Sequence, residues 1–232
     1  MAAHLVQYDG VQTVGNTTFQ DSHLISTQAG SLLVVFATAG NQFEQGGPFS
    51  VSDGFNIFHR LPLTHNFGGA VFGGTTVEAF YAFNIAANTA KIRASGWANT
   101  GGYSRIDVAE YSCDGGWGIA DPIDTSNGQG SSGTPSEFLN LAQPGELVVA
   151  HIIVNSPAGW VWRQLVSRTG TPGNLICDPS TVASLGDFQP FLGGGFFADG
   201  VGGAVTLYVG CAAAFKVPAA ATSSLLQMGV GR

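Results

Sequence analysis

The feature that most constrains this chain is the form of its apolar runs. They are short, alternating or β-branched, and each is cut by a cluster of Gly, Asn, Ser or Pro. Alternation with a period of two puts every second side chain on one face of a strand, and the clusters supply turns. No window of eleven or more residues carries a 3.6-residue period flanked by caps, so helix content is expected to be minimal. The spacing predicts strands over 18–26, 31–39, 55–63, 75–85, 90–97 and 104–112 in the first part of the chain, and over 138–141, 146–155, 161–167, 195–198 and 204–217 in the second. The run SLLVVFATA at 31–39 is apolar enough for a central strand covered on both faces. The 34 glycines have no three-residue period, and hydrophobic residues at 44% are too many for disorder, so collagen and unfolded chains are both excluded.

These runs predict an all-β fold, a jelly-roll-like antiparallel β-sandwich of about eight core strands. Residues 1–217 are read as a single domain, within the length that all-β sandwiches reach without splitting. Between its parts lies 114–136, a Gly-, Ser-, Asn- and Pro-dense stretch predicted to be a long ordered loop anchored by Trp117 and Ile119. The segment 218–232 reads as a tail leaving the body, whose Leu225, Leu226 and Met228 call for burial, with a neighbouring subunit as one answer. The two parts resemble each other: Ser31-Leu32-Leu33-Val34-Val35 is matched by Glu146-Leu147-Val148-Val149-Ala150, each after a glycine (Gly30, Gly145), and the stretch from Asp107 to Tyr111 by that from Cys211 to Phe215.

A net charge of -7 argues against a phosphate backbone as ligand. With only 10% charged residues the surface is built from small polar and apolar groups, a composition that suits contact with other subunits or a secreted, low-charge β-protein. The opening residues lack a basic, then apolar, leader pattern, and no apolar stretch reaches 18 residues, so neither a signal peptide nor a membrane-spanning helix is expected. Cys113, Cys177 and Cys211 are scattered without metal-ligand spacing, which points to buried thiols made in a reducing compartment, with one disulfide and one free thiol as the alternative.

Catalytic patterns are sparse. The G-x-S-x-G elbow, the P-loop and the HExxH pair are absent, and the five histidines are dispersed. Asp107 and Glu110 lie three apart and point to opposite faces of a strand; Glu78 and Glu110 could meet across strands as a carboxylate pair, but Glu110 is read first as an acceptor for loop amides. Asp114, Asp121 and Asp124, with Asn127 nearby, are weak calcium candidates because they place hard oxygens in one segment; no metal or cofactor is otherwise expected. Trp97, Trp117, Trp160 and Trp162 offer either sugar-stacking faces or packing within the core or between subunits, with Trp160 and Trp162 on one face by parity.

Taken in order, GSLLVV (30–35), VSDGFNIF (51–58), FYAFNI (80–85), IDVAEYS (106–112), GELVVA (145–150) and AAFK (213–216) resemble a β-sandwich module of tailed-bacteriophage virion proteins and bacterial surface proteins. The chain departs from that pattern at Cys113, where the family commonly has Gly, and in the acidic stretch after it. The resemblance implies a noncatalytic binding or assembly module and carries over no catalytic residue. The expectation drawn from it is a noncatalytic structural protein of a tailed-phage virion: a capsid decoration (cement) protein on the capsid exterior. Its partners would be the major capsid protein and further copies of itself, with a trimer as the natural homo-oligomer, and neither nucleic acid nor membrane. The alternative is a receptor- or carbohydrate-binding module of a tail tip or bacterial surface, with a cell-surface glycan as partner.

Overall fold

The computed structural model describes residues 2–15, 17–40, 49–64, 66–67, 74–97, 103–114, 116–118, 120–131, 136–155, 161–162, 165–167, 175–178, 181–189, 194–201 and 208–218. Their regular structure is entirely antiparallel β. The first half holds β1 (Ala3–Val14), β2 (Phe19–Asp21), β3 (Ile25–Ser26), β4 (Leu32–Ala39), β5 (Ser50–Ser52), β6 (His59–Arg60), β7 (Asn66–Phe67), β8 (Thr76–Ala82), β9 (Thr89–Ala90), β10 (Arg93–Ser95) and β11 (Tyr103–Cys113). The second holds β12 (Ile123–Ser131), β13 (Ser136–Leu141), β14 (Leu147–Asn155), β15 (Val161–Trp162), β16 (Val166–Ser167), β17 (Leu175–Asp178), β18 (Thr181–Phe188), β19 (Gly194–Val201) and β20 (Tyr208–Phe215).

Both halves are wired alike. A large sheet runs β1-β11-β4-β8-β6 in the first half and β12-β20-β14-β18-β16 in the second; β7 and β17 pair with β8 and β18. A small sheet runs β2-β10-β5 in one and β13-β19-β15 in the other. The antiparallel sandwich expected from the sequence is therefore built twice, and the strands exceed the expected eight because each half makes its own large and small sheet, to which the first half adds the two-stranded pair β3-β9. The two sequence similarities fall on counterpart strands, β4 with β14 and β11 with β20. Even the irregularities repeat: β1 has a bulge between Leu5 and Gln7, β12 one between Ile123 and Thr125.

Alternation explains the layering. In β4, Leu33, Val35 and Ala37 face the small sheet with Ile92, Ala94 and Trp97, while Leu32, Val34 and Phe36 face the other half. In β14, Val148, Ala150 and Ile152 face Leu139, Leu141 and Phe196, while Leu147, Val149 and Ile153 face back across the seam. The result is four layers with the large sheets in the middle, so β4 and β20 are buried along their whole length. Contacts across the seam come in equivalent pairs. Phe36 and His151, each four residues past the matched leucines Leu32 and Leu147, stack at 5.2 Å. Tyr111 on β11 donates to Asp187 on β18, and its counterpart Phe215 on β20 meets Tyr81 on β8. Reciprocal pairing of this kind is the signature of an approximate twofold.

The expected long loop at 114–136 is overturned: β12 occupies nine residues of it and pairs with β20. Its IDTSNGQGS sequence carries no apolar alternation because an edge strand is specified by backbone bonds to its neighbour and packs little of its own. β1 escaped the sequence reading for the same reason, and the expected strand over 55–63 shrinks to His59–Arg60.

Candidate functional site

A polar cluster sits at the centre of the seam. Arg105 and Asp107 alternate on β11 and so share its inner face, which β14 meets with His151. Arg105 Nε donates to Asp107 Oδ2 at 2.6 Å, and its second nitrogen donates to both Asp107 Oδ1 and the Tyr8 hydroxyl. Tyr8 donates to Asp107 Oδ1, and His151 Nε2 lies 2.9 Å from Oδ2. A carboxylate only accepts, so Nε2 carries the proton, leaving the buried Nδ1 without a partner. Burial pushes the Asp107 carboxyl up, but Arg105 and His151 outweigh it and hold the group well below the usual carboxylate range. Burial and the Asp107 charge push the Tyr8 phenol up. Arg105, Asp107 and His151 are each at most 1% exposed. The cluster binds the two halves together and offers no face to a substrate.

Glu78 and Glu110 do not meet. Glu110 pairs with Leu33, which pairs with Ala82, four residues along β8 from Glu78 and with β4 between them, a separation of roughly 16 Å. Glu110 is buried and accepts from the Gln28 main-chain N–H at 2.7 Å and from the Gln7 amide. Glu78 accepts from the Phe49 N–H at 2.8 Å and pairs with Arg60. Both carboxylates hold neighbouring segments in place.

The calcium candidates are dispersed. Asp114 is exposed at the end of β11. Asp121 accepts the Tyr81 hydroxyl at 2.8 Å and the Ile123 N–H. Asp124 is taken by Lys216 and the Ala142 N–H. Among the described residues no group of three or more acidic, His or Cys side chains converges on a metal position. Trp117, read as a glycan or inter-subunit contact, is corrected by its burial: it is 2% exposed in the seam and its N–H donates to Tyr111 O at 2.8 Å, leaving no indole face for an outside partner. Trp97 packs edge-on against Phe49. Trp160, Leu225, Leu226, Met228 and the side chain of Trp162 lie outside what is described. Cys113 and Cys211 are buried and outside any disulfide.

What the outer surface does present is a built apolar projection. Asp53, nearly buried, accepts the N–H groups of Phe55 and Asn56 on Oδ1 and the Asn56 and Asn88 side-chain amides on Oδ2. Asn56 in turn accepts the Ala86 N–H. This network fixes the turn after β5, and Gly54 takes the left-handed φ of 80° it needs. The turn holds Phe55 68% and Ile57 78% exposed. The sequence reading placed both in a strand; the Ser-Asp-Gly triplet before them was the available signal for a turn. Comparison of the chain with protein-family models, with curated proteins and with solved structures found no match.

Proposed function

We propose that this chain is a noncatalytic structural protein that docks on a protein lattice, as a decoration protein does on the exterior of a tailed-phage capsid. The observation that carries the reading is the turn at 53–57. Four hydrogen bonds to one carboxylate fix a segment whose product is two large apolar side chains in water, an arrangement that lowers the ordering cost of meeting a partner. The ionisable groups of the seam are engaged with one another, which suits a body built for rigidity. The strand order, with the first and last long strands of each half side by side in the large sheet, is compatible with jelly-roll wiring, an architecture that capsid and lectin domains share. Fold alone does not choose between those uses. Weak apolar contacts repeated by symmetry would give avidity without deep pockets.

The test is to add the purified chain to undecorated heads of the particle that encodes it and to locate it by electron cryomicroscopy. The expected result is saturable, ordered occupancy on the capsid exterior that falls at least tenfold in affinity for Phe55→Ser/Ile57→Ser. A chain that stays monomeric, ignores heads and is retained on a glycan array would sink this reading in favour of the receptor- or carbohydrate-binding module.

A further inference from the structure

The second half carries three ionisable side chains at positions where the first half has none. Leu5 pairs with Tyr111 and Ile123 with Phe215, which sets the correspondence: Asp124, the extra residue of the β12 bulge, stands where β1 has Val6, and Lys216 where β11 has Ser112. Glu146, immediately before β14, stands where Ser31 precedes β4. The three come together. Lys216 Nζ lies 3.1 Å from Asp124 Oδ1, and the Ala142 N–H donates to Asp124 Oδ2 at 2.9 Å. The Gln143 N–H donates to Glu146 Oε1 at 3.2 Å. Glu146 is fully buried, and its Oε2 has no partner. The adjacent Ala142 and Gln143 N–H groups hold the two carboxyl groups at one turn; two ionised carboxylates cannot bond to each other, whereas a protonated Glu146 can donate to Asp124 through its unpartnered oxygen.

We propose that Asp124, Glu146 and Lys216 form a proton-operated latch fastening the start of β12 to the end of β20, closed when Glu146 is protonated and loosened when it ionises. The β12–β20 junction it guards is held at its outermost point by the Lys216 N–H donating to Pro122 O at 2.7 Å. The groups that face Glu146 are Asp124 from β12, Lys216 from the end of β20 and the main-chain N–H of Gln143 from the turn before β14. Burial first, then the charge of Asp124 and the hydrogen bond with it, push the Glu146 carboxyl up to about 7. Burial pushes Asp124 up as well, but the Ala142 N–H, Lys216 and Glu146 outweigh it and bring that carboxyl below its ordinary value. The folded pKa of Glu146 thus lies above the ordinary 4.5 of an unfolded chain. Between those values the folded protein keeps a proton that the unfolded chain releases. The stabilisation is fully present below the lower value and is lost as pH rises through the upper one.

Amide exchange read strand by strand tests the latch in a His4→Gln/His23→Gln background, which removes the histidines on and beside β1; β1 is then the internal control, because it has the same bulge and Val6, Ser31 and Ser112 in place of the three latch residues. After correction for intrinsic rates, protection of β12 is expected to fall several-fold between about pH 5.5 and pH 8 while β1 stays level, with the melting temperature dropping by a few degrees. In Glu146→Gln, whose amide donates to Asp124 at every pH, both changes disappear. Parallel loss of protection in β1 and β12, or a Glu146→Gln profile that follows the wild type, overturns the proposal. Should that variant fail to fold, a carboxyl titration of the wild-type protein decides: a Glu146 midpoint at the ordinary value overturns the latch, and one near neutrality supports it.

Discussion

At the seam the first half contributes Arg105 and Asp107, where the second half has Val209 and Cys211 at the counterpart positions of β20. At the edge the situation reverses, and the second half holds Asp124, Glu146 and Lys216 against Val6, Ser31 and Ser112. The backbone path is the same in both places, down to the bulge. The difference teaches that strand order and register do not depend on whether a given inward position is charged or apolar, provided each charge finds its partner. A buried ion pair gives little net stability relative to apolar packing, but removing one member leaves a desolvated charge. The halves should therefore match in topology and differ in sensitivity.

The largest expected effect breaks that symmetry directly. Asp107→Ala strands the guanidinium of Arg105 and costs about 3–5 kcal/mol, whereas Cys211→Ala at the matching position of β20 costs about 1 kcal/mol. Urea denaturation of the two variants measures both, and equal losses would show that the seam charges are not what distinguishes the halves. Next come the glycines at the matching place in the edge strands, Gly10 and Gly128. A Cβ at Gly128 would stand 2.8 Å from the carbonyl oxygen of Leu63, and one at Gly10 would meet Tyr8, Arg105 and Asp107 side-chain atoms. Both alanine variants are expected to lose about 1–3 kcal/mol. Their pH profiles should differ: only the Gly10 variant disturbs the Asp107 cluster.

A pH titration of stability sharpens the comparison further. The folded pKa of Asp107 lies below its ordinary 3.8, so the stability it contributes is present above that value and is lost as pH falls below it. This acid limb belongs to the seam, and Glu146→Gln should leave it intact while removing the decline toward neutral pH. Chemical denaturation at a series of pH values separates the limbs; an acid limb that vanishes in Glu146→Gln would contradict the assignment. The smallest expected change in stability is at the surface. Phe55→Ser/Ile57→Ser should alter the free energy of unfolding by less than about 0.5 kcal/mol while weakening association, because these side chains are two-thirds or more exposed.

Much of the framework was legible in the residues. The unbroken apolar run of β4 signalled a strand covered on both faces, and the paired similarities at 31–35 with 146–150 and 107–111 with 211–215 marked strands that prove to be counterparts. The edge strands were not legible, since IDTSNGQGS owes its conformation to β20. Trp117 could be recognised as an anchor but not assigned to its surface, because its position depends on Gly30 and Tyr111 being brought to it. Glu146 gave no signal beyond being an acid where the repeat has a serine.

The sequence by itself determined the secondary structure class, the inward and outward faces of the long strands and the kinship of the two halves, because alternation is a local property of the chain. Tertiary structure alone decided that two large sheets meet face to face and that Arg105 and Asp107 share their pocket with His151. It also decided that Asp124 reaches Lys216 and that Phe55 and Ile57 stand outside. Those outcomes depend on register between strands far apart in sequence, and on burial, which only the packed neighbour can supply.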